Sequence, residues 1–282
     1  MRVRRLGVIG TAIILSLVVS TIPSASAATS AAPKNLVKKG TLVNCIDAEY
    51  PPMEYFANGT SGKIIGFDAD GSAALAKYWG LKIKQLNVPF DGLIPSLAAK
   101  RCDIVWTGLY LSNKRLTVAD GAVYLNTGPG LIVATANPKN IVNADSLCGL
   151  TVAAQGASAN EGIIKAKSTA CVGAGKAAIK LQSYPKVAET VAAVTNGQAD
   201  ALIETDVAVA DIVKKSSGAL KEIRKVFPAD TQFAVYVSKA SKNIVALQKA
   251  IKALVANGTL GKVAKRYGLD PEKVTSVARP AI

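Results

Sequence analysis

The sequence predicts an α/β protein organised as two lobes. Three observations carry this reading, the first two being that strand-period and helix-period segments alternate along the chain and that the alternation runs through twice. The third is length, since about 255 residues remain after an export leader, enough for one large domain or two modest lobes.

That leader opens the chain. MRVRR is a charged start, LGVIGTAIILSLVV an apolar run and SASA a small-residue ending, which together read as an export signal over residues 1–27 cleaved after Ala27. The run is short for a bilayer span of about 20 residues, and no later run is long enough. No cysteine stands at the junction to take a lipid, so the expected product is periplasmic or secreted. A low-complexity leader, residues 28–37, follows.

The first α/β unit begins with the β-branched, apolar run TLVNCID. DADGSAALAKYWG has helical period and stops at Gly80, LKIKQLNV alternates as a strand, DGLIPSLAAKR is a helix that Asp91 can cap, and CDIVWTGLY is a buried strand. This β-α-β-α-β order implies a mostly parallel sheet covered by helices on both faces. A second unit starts near LIVATANP and repeats the grammar: LTVAAQG, SANEGIIKAKST, AIKLQSYP, KVAETVAAVTNG with Gly197 as its stop, and ADALIETD. FAVYVSK then returns as a strand, followed by the helices NIVALQKAIKALVANG and TLGKVAKRYG. Two lobes joined by crossing segments suit this order, and clefts between such lobes are where ligands sit.

Composition narrows the chemistry. There is no histidine in the chain, so Ser-His-Asp triads, Cys-His pairs and histidine-bearing zinc sites are excluded, and no CxxC points to a metal. No cofactor is implied. The formal charge is +15, and loss of the three signal arginines leaves about +12. The lysines are scattered along helix faces without interleaved aromatics, which reads as a solvated surface and not as a nucleic-acid interface. In an oxidising compartment Cys148 and Cys171 are a candidate bridge; Cys45 and Cys102 form a second one or remain buried thiols.

The segments GTLVNCIDAEYPPMEY, GKIIGFDADGSAALAKYWGLKI, FDGLIPSLAAKRCDIVWTGLYLSNKR, LCGLTVAAQGASANEG, NGQADALIETDVAVA and NGTLGKVAKRYGL together resemble the amino-acid-binding proteins of ABC importers, solute-binding family 3. The resemblance covers nearly the whole mature chain. It implies the two-lobed periplasmic-binding-protein (type II, Venus flytrap) fold: residues 38–128 and 234–282 as lobe 1, residues 129–233 as lobe 2 with its hinge strands. It also implies a monomer that delivers a free L-amino acid to a membrane permease.

In such proteins the arginine of S/T-x-x-R pairs with the ligand α-carboxylate, here Arg115, on a helix started by Ser112. A planar guanidinium presents paired donors at carboxylate spacing, which lysine does not match. The resemblance further places the backbone around Thr107, Gly108 and Tyr110 on the ligand's amine and carboxylate. Tyr50, Phe90 and Trp106 become aromatic walls, with core packing the competing reading for the last two. Asp47 becomes an acceptor for a polar or cationic tip, or else a turn aspartate. Ser158 is placed on the carboxylate and Asp206 on the ammonium. Asp200 and Asp206 are six apart where the family commonly has five, and one extra residue turns a strand side chain to the other face, so Thr205 or Glu204 competes for that role. Asp120 stands where the family often has an aromatic, and Tyr110 where relatives have a small residue. Arginine, lysine, histidine and glutamine are the favoured ligands. The rival readings are an enzyme resembling cyclohexadienyl dehydratases, which have a GGIS-like segment where this chain reads TGLY, and a sensor lobe detached from a receptor.

Overall fold

The computed structural model describes residues 32–282; the export signal expected over 1–27 lies outside the described residues. The chain opens with β1 (Thr41–Ile46), whose six residues are all buried because it lies between two parallel neighbours. A small antiparallel sheet follows, β2 (Glu49–Tyr50), β3 (Glu54–Phe56) and β4 (Ile64–Ile65). Next come α1 (Phe67–Tyr78), β5 (Lys82–Asn87), α2 (Leu93–Ala98), β6 (Ile104–Val105), α3 (Asn113–Leu116) and β7 (Ala119–Thr127). The second unit runs β8 (Pro129–Ala134), β9 (Thr151–Gln155), α4 (Ala159–Gly173), β10 (Lys180–Tyr184), α5 (Val187–Thr195), β11 (Ala201–Thr205), α6 (Asp206–Lys215) and β12 (Leu220–Ile223). The chain then returns through β13 (Thr231–Ser238) to α7 (Ile244–Ala256) and α8 (Thr259–Arg266).

Two five-stranded sheets result, in the orders β5-β1-β6-β13-β7 and β10-β9-β11-β8-β12. Each is parallel through its first three strands and antiparallel through the last two. The antiparallel part is made by the strands that flank the crossings, so parallel pairing, expected to dominate, is confined to the βαβ units that require it. Helices bury apolar clusters on both faces of each sheet, around Phe67, Trp106, Tyr124 and Phe233 on one face of the first, and around Leu131, Val152 and Ile203 on one face of the second. Edge strand β5 exposes Lys82 and Lys84, charges that discourage pairing with another chain. Among the described residues no helix is long and apolar enough to cross a membrane.

The chain passes between sheets twice, from Thr127 to Pro129 and from Ile223 to Thr231. The passages touch: Thr231 is in register with Thr127 and its hydroxyl donates to the Thr127 carbonyl at 2.9 Å. A Cβ on Gly128 would stand 2.5 Å from the Ala229 Cα, so only glycine lets the backbones approach this closely. Each sheet also carries a disulfide, Cys45–Cys102 with Cα atoms 5.7 Å apart and Cys148–Cys171 at 5.6 Å. One sequence expectation is corrected here. Asp91 does not cap a helix: a 3-10 turn, Phe90–Gly92, comes first, and α2 starts from Gly92 without a side-chain cap.

Candidate functional site

In both sheets the carboxyl ends of the parallel strands point to the space between the lobes. This is where side chains and unpaired backbone groups of open α/β sheets meet ligands. The cleft there is narrow, with about 30 Å³ of free space. Asp47, Tyr50, Phe90, Gly108, Tyr110, Arg115 and Ser158 of the expected set line it. Trp106, Thr107 and Asp206 do not.

Arg115 is mounted by a short helix whose start is fixed locally. The Ser112 hydroxyl accepts from the Arg115 backbone N–H at 3.4 Å, an N-cap that ends the preceding extended segment. Downstream chain adds support: Asn113 N–H donates to the Ile282 carbonyl at 2.7 Å, and Ile282 N–H to that of Leu111 at 3.2 Å. The guanidinium donates through Nη1 to the Tyr110 carbonyl at 3.0 Å and lies 5.9 Å from the centre of the Phe90 ring, within reach of a cation–π attraction. No carboxylate of the described residues forms an ion pair with it. Burial, the largest influence, lowers its pKa, partly offset by the Tyr236 hydroxyl; it stays cationic.

The Tyr110 carbonyl also accepts from the Tyr236 hydroxyl at 2.5 Å, and the Gly108 N–H donates to Glu54 Oε1 at 3.1 Å. The backbone expected to receive a ligand is therefore already engaged at both points. Thr107 faces inward, its hydroxyl on the same Glu54 oxygen. Tyr50 lies directly over Gly108, where a Cβ would come 2.9 Å from the Tyr50 ring. Its hydroxyl crosses the cleft to donate to Glu204 Oε1 at 2.7 Å and also touches the Thr205 hydroxyl.

Trp106 is a core residue. It is fully buried, its indole N–H donates to Asp68 Oδ1 at 3.1 Å, and its ring sits 5.2 Å from that of Tyr124. Asp206 is also withdrawn, because the extra residue before it places it as the first residue of α6. Its carboxylate accepts from the Thr127 hydroxyl at 2.6 Å and from Lys273 Nζ at 2.7 Å. Glu204 and Thr205 take the cleft position instead. Ser158 caps α4, its hydroxyl accepting from the Glu161 N–H at 3.0 Å, so the serine presents the start of a 15-residue helix to the cleft.

Several cleft groups lie beyond the predicted set: Glu49, Glu54, Gln155, Asn160 and Val187. Glu54 had a readable signal, a single carboxylate inside the otherwise apolar, aromatic and proline-rich run YPPMEYF. Asn160 had none, being one polar residue among several at a helix start.

Electrostatically the floor is short of cations. Burial first, then the charge of Glu49, pushes the Asp47 carboxyl up to about 7, with Lys186 acting the other way. Burial pushes Glu204 up to about 7 even though the Tyr50 hydroxyl and the Thr205 N–H stabilise its anion. Burial beside Asp68 holds Glu54 well above the usual carboxylate range. None of these three pairs with a lysine or arginine among the described residues, whereas Glu49 at the rim meets Lys186 at 2.6 Å. No group of three or more His, Cys, Asp or Glu residues among those described is arranged to hold a metal ion. What the arrangement does offer is one guanidinium for an anion, three desolvated carboxyl groups for donors or cations, and aromatic walls between them.

Residues 42–270 match the family model of bacterial extracellular solute-binding proteins, family 3. The chain is 26% identical over 239 residues to the arginine-binding protein ArgT of Corynebacterium glutamicum, covering 84% of this chain and 77% of that protein. It is 27% identical over 264 residues to the histidine-binding periplasmic protein of Escherichia coli K12, covering 90% and 94%. Among solved structures, an ancestral arginine-binding protein bound to arginine superposes with a TM-score of 0.72 at 25% identity, covering 81% of this chain and 98% of that one.

Proposed function

This chain belongs to the bacterial extracellular solute-binding proteins, family 3, and from that membership we propose that it captures a free L-amino acid, polar or cationic, between its lobes and delivers it to an ABC importer. The observation that carries the reading is Arg115, a largely buried guanidinium in the cleft with no carboxylate partner among the described residues, facing Asp47 and Glu204, which have no cation partner. A zwitterion supplies the missing charges. Its carboxylate pairs with Arg115 in the fork geometry a guanidinium favours, and the start of α4 adds free N–H groups. A cationic side chain matches the surplus of acid, as the names of the arginine- and histidine-binding relatives suggest.

Binding proceeds by closure. Lobe 1 holds the anchor, and contacts from the ends of β9 and β11 favour the closed form once ligand bridges them. The touching passages at Thr127–Pro129 and before Thr231 serve as the hinge. The closed form is what the permease reads. The protein works as an exported monomer and a binder, not as a catalyst.

A thermal-shift panel of the twenty amino acids with ornithine and citrulline tests this. Ligand at about 100 times its Kd stabilises by about 2.7 kcal/mol, so the largest shifts are expected for arginine, lysine and ornithine. A panel with no shift overturns the reading. Incubation with prephenate or arogenate separately tests the enzyme alternative, since release of an aromatic product would mean catalysis.

A further inference from the structure

Between Asp230 and Asp270 the chain holds seven basic residues and no acidic one. The fold gathers four of the seven. α7 and α8 pack together against one face of the first sheet, burying Leu247, Ala250, Ile251 and Leu254 from the one and Leu260, Val263 and Ala264 from the other. At about 3.6 residues per turn, those inward stripes set Lys249 and Lys252 on the outer side of α7 and Lys262 and Lys265 on the outer side of α8. All four are exposed. Lysines that read as scattered along the sequence therefore share one face of the fold.

Among the described residues none of these four forms an ion pair, whereas Lys239 and Arg266 nearby pair with Asp120 and Asp70. Lys249 and Lys252, and again Lys262 and Lys265, stand three apart, a spacing at which like charges repel along a helix. A face shaped for solubility alone interleaves both signs; this one does not. The excess is also polarised, since residues 38–128 with 234–282 carry 19 basic against 10 acidic side chains, and residues 129–233 carry 11 against 9.

We infer that the outer face of α7 and α8 is a docking surface for the anionic headgroups of a lipid bilayer, which holds the protein beside the membrane. This goes beyond the proposed amino-acid capture and can fail or stand without it. The lysines are spread over two helices and lack the buried polar partner that would enclose a single phosphate, so they suit an extended array of negative charge. Val245, 57% exposed on the same side of α7, adds apolar contact at such a surface. None of the four lysines lines the cleft, so ligand entry is left clear. The four cysteines are all in disulfides, so none of these thiols is open to a lipid, and charge is the means of attachment the face supplies. Each lysine near an anionic bilayer strengthens binding by about fivefold.

The test is co-sedimentation with vesicles one-third phosphatidylglycerol in phosphatidylcholine, against phosphatidylcholine alone, at about 0.1 M salt, where charges act over about 10 Å. Wild-type protein is expected to bind the anionic vesicles only and to leave them at about 0.5 M salt. Combining Lys249→Gln, Lys252→Gln, Lys262→Gln and Lys265→Gln should weaken binding by at least about tenfold. Removal of like-charge repulsion should leave the melting temperature of that variant unchanged or raised. Combining Lys139→Gln, Lys176→Gln, Lys180→Gln and Lys225→Gln gives the same net charge with the face intact, and should retain binding. Equal loss in the two variants assigns the attraction to net charge and overturns the face. Wild-type protein that ignores anionic vesicles overturns it too, and binding to soluble polyphosphate without vesicles overturns the lipid assignment. Calorimetry with L-arginine reads the cleft separately, and its failure leaves the docking surface standing.

Discussion

At the end of β1 the first lobe delivers Asp47, and beyond β6 it delivers Gly108, Tyr110 and the mounted Arg115; at the equivalent ends of β9 and β11 the second delivers Gln155, the start of α4 and Glu204. The sheet order is the same in both, and so is the use of strand ends. What differs is the kind of support. Lobe 1 fixes its polar groups through side-chain bonds such as Glu54 to Thr107 and Gly108, and Tyr236 to Tyr110. Lobe 2 fixes its own mainly to backbone, with Gln155 donating to the Pro185 carbonyl, the Ser158 hydroxyl accepting from the Glu161 N–H and Glu204 accepting from the Thr205 N–H. The comparison teaches that one sheet arrangement can present a cation on a short capped helix from one lobe and carboxyl and helix-start groups from the other.

The two disulfides test whether stability follows the same division. Loops of 57 and 23 residues imply chain-entropy contributions of about 4 and 3 kcal/mol. Denaturant titration of the Cys45→Ala/Cys102→Ala and Cys148→Ala/Cys171→Ala pairs should therefore show the greater loss for lobe 1. The reverse order would place the more firmly tied half on the other side.

Next in size is the anchor itself. Arg115→Ala should cost more than about 2 kcal/mol of ligand affinity, because a desolvated carboxylate is left unpaired. Calorimetry on ligand-free protein reads this directly, and undiminished affinity would remove Arg115 from the site.

A pH series then reads both lobes together. Asp47 and Glu204 have folded-state values raised to about 7, so the folded protein holds protons that the unfolded chain has already released. Their contribution to stability is full below the unfolded carboxylate range and is lost as pH rises through 7. Ligand-free protein should melt lower at pH 8 than at pH 5. Binding has the opposite sign, since the ionised carboxylates attract a cation, and L-arginine affinity should rise about tenfold over that range. Glu204→Gln should flatten both curves. A melting temperature that rises from pH 5 to 8 would contradict the desolvated floor.

The smallest effect belongs to Lys273 and Asp206, whose side chains are 39% and 24% exposed. A partly solvated pair of this kind contributes under about 1 kcal/mol, so Lys273→Met should shift the denaturation midpoint only slightly. A loss of several kcal/mol would mean that the hinge, not the sheets, limits stability.

Much of the fold was legible because long periodic segments declare themselves: β1, α1, β9, α4 and α7 lie where their patterns put them. The short strands β2 to β4 and the helix α6 did not, being set by tertiary pairing and by one residue of register. The place of Arg115 in the cleft was legible through Ser112, a spacing with its own local physics. Trp106 was misplaced because an aromatic beside a strand end fits core and wall equally well until Asp68 and Tyr124 are seen around it. Asp206 was misplaced by that single extra residue, although the same reasoning named Glu204 and Thr205 as substitutes. Glu54 left a local trace in YPPMEYF that went unread, whereas Asn160 depends on contacts between distant segments, which no local pattern encodes.

The carboxylate of Asp206 joins three parts of the chain, through Thr127 at the first passage, Lys273 beyond α8, and its own place at the head of α6. In the proposed closure, such a knot beside the passages would act as a fulcrum. The rim clasp between Glu49 and Lys186 follows β10, three strands away from β8, a lever arm of about 14 Å at ordinary strand spacing. A few degrees of rotation about that point would be magnified at the clasp, where a pair of dyes would register the swing.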